Sequence, residues 1–69
     1  MLNATQITRA LRLPAVCGLV GYAPASIWRK VKSGEFPPPF SLGPRAVAWD
    51  EREVLDWLES RKSAARKVA

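Results

Sequence analysis

The run Pro37-Pro38-Pro39 constrains this chain more than any other feature. Three successive pyrrolidine rings hold φ at about −65° and supply no backbone N–H, so neither a helix nor a central strand can pass through them. The run splits the chain into two parts joined by a stiff, polyproline-like link. With 69 residues in all, both parts must share one core. A domain of this size buries only about 60% of the surface its unfolded chain exposes, and it has no depth for an enzymatic cleft.

Glycine and proline punctuate the first part. Residues 1–7 read as a flexible tail, and Thr8-Arg9-Ala10-Leu11-Arg12-Leu13 alternates well enough for a short extended segment. Pro14 suits the first position of a helix, on which Val16, Leu19 and Val20 form one apolar stripe. Gly18 inside that helix costs roughly 1 kcal/mol relative to Ala, so the helix is short. Gly21 is suited to stop it, and Gly21-Tyr22-Ala23 is a tight link to a second start at Pro24. The second helix is expected from Pro24 to about Ser33, closed by Gly34. Ile27 and Val31 point one way; Ala25, Arg29, Lys32 and Ser33 point the other, with Ser26 at the edge and Trp28 and Lys30 flanking. Two short helices joined by a three-residue, glycine-containing turn form a helix-turn-helix pattern.

Beyond the prolines, Phe40-Ser41-Leu42 and Ala46-Val47-Ala48-Trp49 flank Gly43-Pro44-Arg45 and read as a hairpin with Arg45 at its turn. Asp50 is placed to cap a third helix, with Glu53 as its reciprocal partner. Val54, Trp57, Leu58 and Ala65 share one face of that helix, and Phe36, Phe40, Trp49, Val54, Trp57 and Leu58 are the expected core. The fold class is mainly α with a small β-hairpin, in the order helix, turn, helix, hairpin wing, helix: a winged helix-turn-helix. The expected organisation is a tail over 1–7, the domain over 8–63 and a basic tail over 64–69.

Charge is distributed unevenly. The first 34 residues hold Arg9, Arg12, Arg29, Lys30 and Lys32 and no acid, whereas the remainder carries six bases against six acids. A one-sided positive field on a small domain suits a polyanion, nucleic acid before an anionic membrane surface. With no histidine and one cysteine, neither His-based acid–base catalysis, a structural zinc site nor an intrachain disulfide is expected. No Gly-rich phosphate loop or nucleophile elbow is present, so no enzyme, metal or cofactor is expected. Cys17 fits a reducing cytoplasm, as a small buried hydrophobe. The chain lacks an apolar run long enough to span a membrane and an export signal at its start.

The residues Leu11-Arg12-Leu13-Pro14, Gly21, Ser26-Ile27-Trp28-Arg29, Lys32-Ser33-Gly34-Glu35-Phe36-Pro37, Leu42-Gly43-Pro44-Arg45-Ala46-Val47-Ala48-Trp49 and Glu53-Val54-Leu55-Asp56-Trp57-Leu58 resemble the AlpA-like phage and prophage regulators, small relatives of excisionase and MerR-type winged-helix domains. The resemblance covers about residues 10–62. The chain departs from the family pattern where Ala23 precedes Pro24, where Lys30 follows Arg29, and where Trp28 stands for the usual Tyr. The resemblance implies a regulator of a mobile element that binds double-stranded DNA, acting in transcription, in excision, or in both. On that reading the second helix enters the major groove with Ala25, Ser26, Arg29, Lys30, Lys32 and Ser33. Arg29 is then the base-reading candidate and the lysines meet phosphates. The wing contributes Ser41 and Arg45, and Arg9 and Arg12 contact the backbone. Integrase or RNA polymerase would be protein partners, and several copies would act cooperatively on DNA with weak or no self-association in solution. The competing reading is a protein-interaction module, such as an anti-repressor, with little affinity for DNA.

Overall fold

The computed structural model describes residues 9–66. Its elements run β1 (Ala10–Leu11), α1 (Leu13–Val20), α2 (Pro24–Lys32), β2 (Phe40–Gly43), β3 (Ala46–Asp50) and α3 (Glu51–Arg66). This is three helices with a small antiparallel sheet, the layout of a winged helix-turn-helix. The tail expected over 1–7 lies outside the described residues, as do 67–69. Residues 64–66, expected to open a basic tail, continue α3.

The extended segment before α1 does more than lead into the helix. Ala10 and Leu11 pair antiparallel with Asp50 and Trp49, making the hairpin the larger part of a three-stranded sheet in the order β1-β3-β2. β3 is therefore central, and its consecutive residues Ala48 and Trp49, which point to opposite faces, are both fully buried. β2 pairs with β3 through Phe40↔Ala48, Ser41↔Val47 and Gly43↔Ala46, and a bulge between Ser41 and Gly43 sets Leu42 out of register.

Val16 from α1, Ile27 from α2, Val54 from α3 and Trp49 from β3 form the fully buried centre, with Leu11 and Phe36 closing it. The α1 stripe differs from the expected one. Leu13, Val16, Cys17 and Val20 turn to the core, whereas Leu19 is exposed. Cys17 is half-buried rather than enclosed. Phe40 and Leu58 also lie outside the core cluster, both half-buried, and Ala65 is exposed because α3 has passed the body of the domain by then.

The helix ends follow their local chemistry. Gly21 takes φ 81° and donates its N–H to the Cys17 carbonyl at 2.8 Å, closing α1. At the end of α2, Gly34 (φ 83°) donates to the Val31 carbonyl and Glu35 to the Lys30 carbonyl, a Schellman pair. Asp50 Oδ1 accepts from the Arg52 N–H at 3.0 Å, so Asp50 caps α3. The cap is one-sided: among the described residues no bond returns from Glu53.

Candidate nucleic-acid interface

α2 begins at Pro24 without a side-chain cap on Ala23, so its orientation comes from packing. Ile27 is fully buried and Val31 packs behind it. That anchoring turns Ala25, Arg29 and Lys32 to the exposed side. Ser26 is half-buried, and its hydroxyl accepts from Arg29 Nη2 at 3.4 Å; it does not cap the helix. The outward face thus carries two cations among small residues, with no acid on the helix.

Trp28, on the flank, is 42% exposed, and its ring lies 5.3 Å from that of Trp49. This contact ties α2 to the central strand of the sheet, and through it to the hairpin.

Lys30 behaves differently from Arg29 and Lys32. Its Nζ lies 3.4 Å from Glu35 Oε1 and 5.0 Å from the centre of the Tyr22 ring, with most of the side chain covered. Ser33 joins the same cluster by donating from its hydroxyl to Glu35 Oε2 at 3.1 Å. The Ser33 hydrogen bond, and then the bond and charge of Lys30, hold the Glu35 carboxyl below the usual glutamate range. Ser33, read from the sequence as facing outward, and Lys30, read as flanking that face, are thus engaged in closing α2. Tyr22 and Glu35, which the sequence reading did not single out, hold them there. The Schellman turn at Gly34 brings Glu35 back over Lys30, where such turns commonly place an apolar pair.

The hairpin turn holds a feature with mechanical meaning. Pro44 and Arg45 connect β2 to β3, and Arg45 takes φ 58°, the left-handed region that costs a side-chain-bearing residue about 1–2 kcal/mol. Its side chain is exposed. Ser41 is also exposed, and its hydroxyl donates to the Gly43 carbonyl at 3.2 Å, so it supports the bulge. Arg12 is exposed at the start of α1. Arg9 is drawn to the start of α3, where its guanidinium lies 3.4 Å from Glu51 and its carbonyl accepts the Glu51 N–H at 2.9 Å.

Among the described residues no helix is long and apolar enough to cross a membrane. Among the described residues, exposed cations without an acidic partner sit on α2 (Arg29, Lys32), at the start of α1 (Arg12), on the hairpin turn (Arg45) and on α3 (Arg52, Arg61, Arg66). Comparison with known proteins gives a consistent result. Residues 9–62 match the family described as prophage CP4-57 regulatory protein (AlpA). The chain is 39% identical over 59 residues to an uncharacterized protein of Enterobacteria phage P4, covering 86% of this chain and 67% of that protein. It is also 39% identical over 66 residues to the DNA-binding transcriptional activator AlpA of Escherichia coli K12, covering 87% of this chain and 94% of that one.

Proposed function

The chain belongs to the AlpA family of prophage regulatory proteins, and on that footing we propose that it is a sequence-selective double-stranded DNA-binding regulator of a prophage or mobile element. Its DNA-binding unit spans residues 8–63. α2 enters the major groove, and the β2–β3 hairpin is the wing that grips the adjacent backbone or minor groove.

One observation carries this reading: the outward face of α2 is cationic, acid-free and slim, with the fully buried Ile27 behind it. A major groove about 12 Å wide accepts such a ridge. Arg29 reads a base edge, guanine by preference, because its planar fork matches the two acceptors there. Ala25 and Ser26 approach neighbouring edges. Lys32, Arg12 and Arg45 meet phosphates; Arg9, Lys30 and Ser41 contribute by holding the scaffold. The cationic contacts supply a sequence-blind, salt-dependent affinity, with log K falling by about 0.9 per phosphate against log salt. One such domain covers few base pairs, so selectivity comes from several copies bound cooperatively.

The name of the Escherichia coli relative supports control of transcription. Service as an excision factor beside an integrase uses the same bound site, and genomic footprinting separates the two: a promoter in one case, an attachment site in the other. The test of DNA binding itself is Arg29→Ala in a mobility-shift titration on the footprinted site. The expected cost is about 1–3 kcal/mol, with relaxed preference at the contacted base. Negligible affinity of the unaltered protein for duplex DNA would instead support the protein-interaction reading.

A further inference from the structure

α3 carries a second surface that DNA binding leaves unused. Val54, fully buried, and Trp57, packed edge-on against Phe36 with ring centres 4.8 Å apart, fix which side of α3 faces the core. At 3.6 residues per turn, Leu55, Glu59, Lys62 and Arg66 then form one outward stripe, with Leu58 and Asp56 on its two edges. Leu55 is 41% exposed, and with Leu58, Glu59 and Lys62 it lines a shallow apolar groove. Residues 61–66 are all exposed, so the end of α3 projects about 9 Å from the body without a packing partner.

The charges along this stripe are segregated. Asp56 and Glu59 lie toward the N-terminal end; Lys62 and Arg66 lie toward the C-terminal end. A parallel copy of the helix would set like charges together. An antiparallel copy sets Asp56 against Arg66 and Glu59 against Lys62, and a two-fold axis makes each contact twice. The helix dipoles also oppose favourably in that arrangement. The same register lays the aliphatic stems of Lys62 and Arg66 over Leu58 and Leu55 of the other copy.

We propose that this face of α3 docks a second copy of the same chain, antiparallel about a two-fold axis at the level of Ser60 and Arg61. The Glu59–Lys62 pair already present within one chain, at 3.2 Å, becomes half of a four-membered ion network. The contact is one helix face wide, below the area of a standard stable interface, so the pairing is weak in free protein. It rests on α3 alone. Its use for inverted half-sites, two α2 helices presented with two-fold symmetry, rests on the DNA reading above.

The experiment uses two charge-reversed chains, Asp56→Lys with Glu59→Lys, and Lys62→Glu with Arg66→Glu. All four positions are exposed, and circular dichroism checks that the fold is kept. Self-association is followed without DNA by sedimentation equilibrium at low salt, up to about 1 mM, the range in which weak contacts register. The unaltered protein is expected to associate, less so as salt rises. Each reversed chain alone is expected to stay monomeric, while their equimolar mixture associates at least as well as the unaltered protein, since one stripe is then wholly basic and the other wholly acidic. A monomeric unaltered protein, a reversed chain that still self-associates, or a mixture that stays monomeric each overturns the proposal. Arg29→Ala is expected to leave this association unchanged, so failure of the DNA reading and failure of the pairing are read separately.

Discussion

On the proposed reading, Arg45 makes the wing a place where stability and DNA affinity oppose each other. The residue holds φ 58° in the hairpin turn, where a side chain costs about 1–2 kcal/mol and glycine costs nothing sterically. Replacing Arg45 by Gly removes that penalty but returns about 0.4–1 kcal/mol as conformational entropy to the unfolded chain. The difference leaves Arg45→Gly more stable by about 0.8 kcal/mol, which for a domain this small raises the melting temperature by about 3–6 °C. Arg45→Ala keeps the strained backbone and removes an exposed side chain, so its stability should stay within about 0.5 kcal/mol of the unaltered protein. On DNA the two variants should behave alike, each losing one phosphate contact and lowering the salt slope by about 0.9. Denaturant unfolding and a mobility-shift salt series on the three proteins give the needed comparison. If Arg45→Gly is no more stable than Arg45→Ala, the turn stores no strain. If neither variant changes the salt slope, Arg45 does not touch DNA.

Other consequences of the structure are as direct. Gly34→Ala meets no atom within 4 Å of the added carbon, so the penalty of φ 83°, about 1–2 kcal/mol, is offset only by about 0.4–1 kcal/mol from the stiffer unfolded chain. A net loss of about 0.8 kcal/mol is expected by urea unfolding, and no measurable loss would contradict the Schellman closure of α2. The Glu35 carboxyl is held below its ordinary range by Ser33 and Lys30, so its contribution is complete above the unfolded glutamate pKa of about 4.3 and fades as pH falls through the lower folded value. Glu35→Gln should therefore flatten the acid limb of the stability curve, and an unchanged limb would place the acid sensitivity elsewhere. Ile27→Ala empties the fully buried anchor of α2 and should cost about 2–5 kcal/mol, enough to unfold much of a domain this small; a loss under about 1 kcal/mol in a thermal melt would mean α2 is held by something else.

The sequence disclosed what is decided locally. Pro24, Gly34 and the Ile27–Val31 spacing define α2 with little help from elsewhere, and Gly21 and Asp50 act within one turn of their own positions. What it withheld depends on distant partners. Val16 and Val20 fit two stripes equally well, one with Leu19 and one with Leu13 and Cys17, and only the position of the sheet chooses the second. Alternation over residues 8–13 marks an extended segment but not its partner, and β1 is a strand because the edge of β3 is open to it. Lys30 sits on the flank of a helical wheel, which says nothing of its partners, yet the reversal at Gly34 brings Glu35 back over it, and Tyr22 lies beneath it. Leu58 has the spacing of a core residue, but α3 leaves the body of the domain before that face is covered.

The three prolines also explain why two tryptophans stand where they do. A proline segment accepts hydrogen bonds but donates none, so its carbonyls need donors from outside. Trp49 Nε1–H donates to the Pro37 carbonyl at 2.9 Å, and Trp57 Nε1–H donates to the Glu35 carbonyl at 2.6 Å. Phe36, between those two carbonyls, is buried against the Trp57 ring. One indole belongs to the wing and the other to α3, so the exit from α2 is fixed from both sides. Trp49 also meets Trp28 on α2 itself, which closes the loop from helix to link to wing and back. A free link of this length would let the ridge of α2 and the turn at Arg45 move independently, and each would have to be ordered separately on binding. With φ fixed by the prolines, the entry held by two indoles and the exit held by the pairing of Phe40 with Ala48, that ordering is complete before any ligand arrives, so on the proposed reading contacts made by α2 and by the wing add without a further entropic cost.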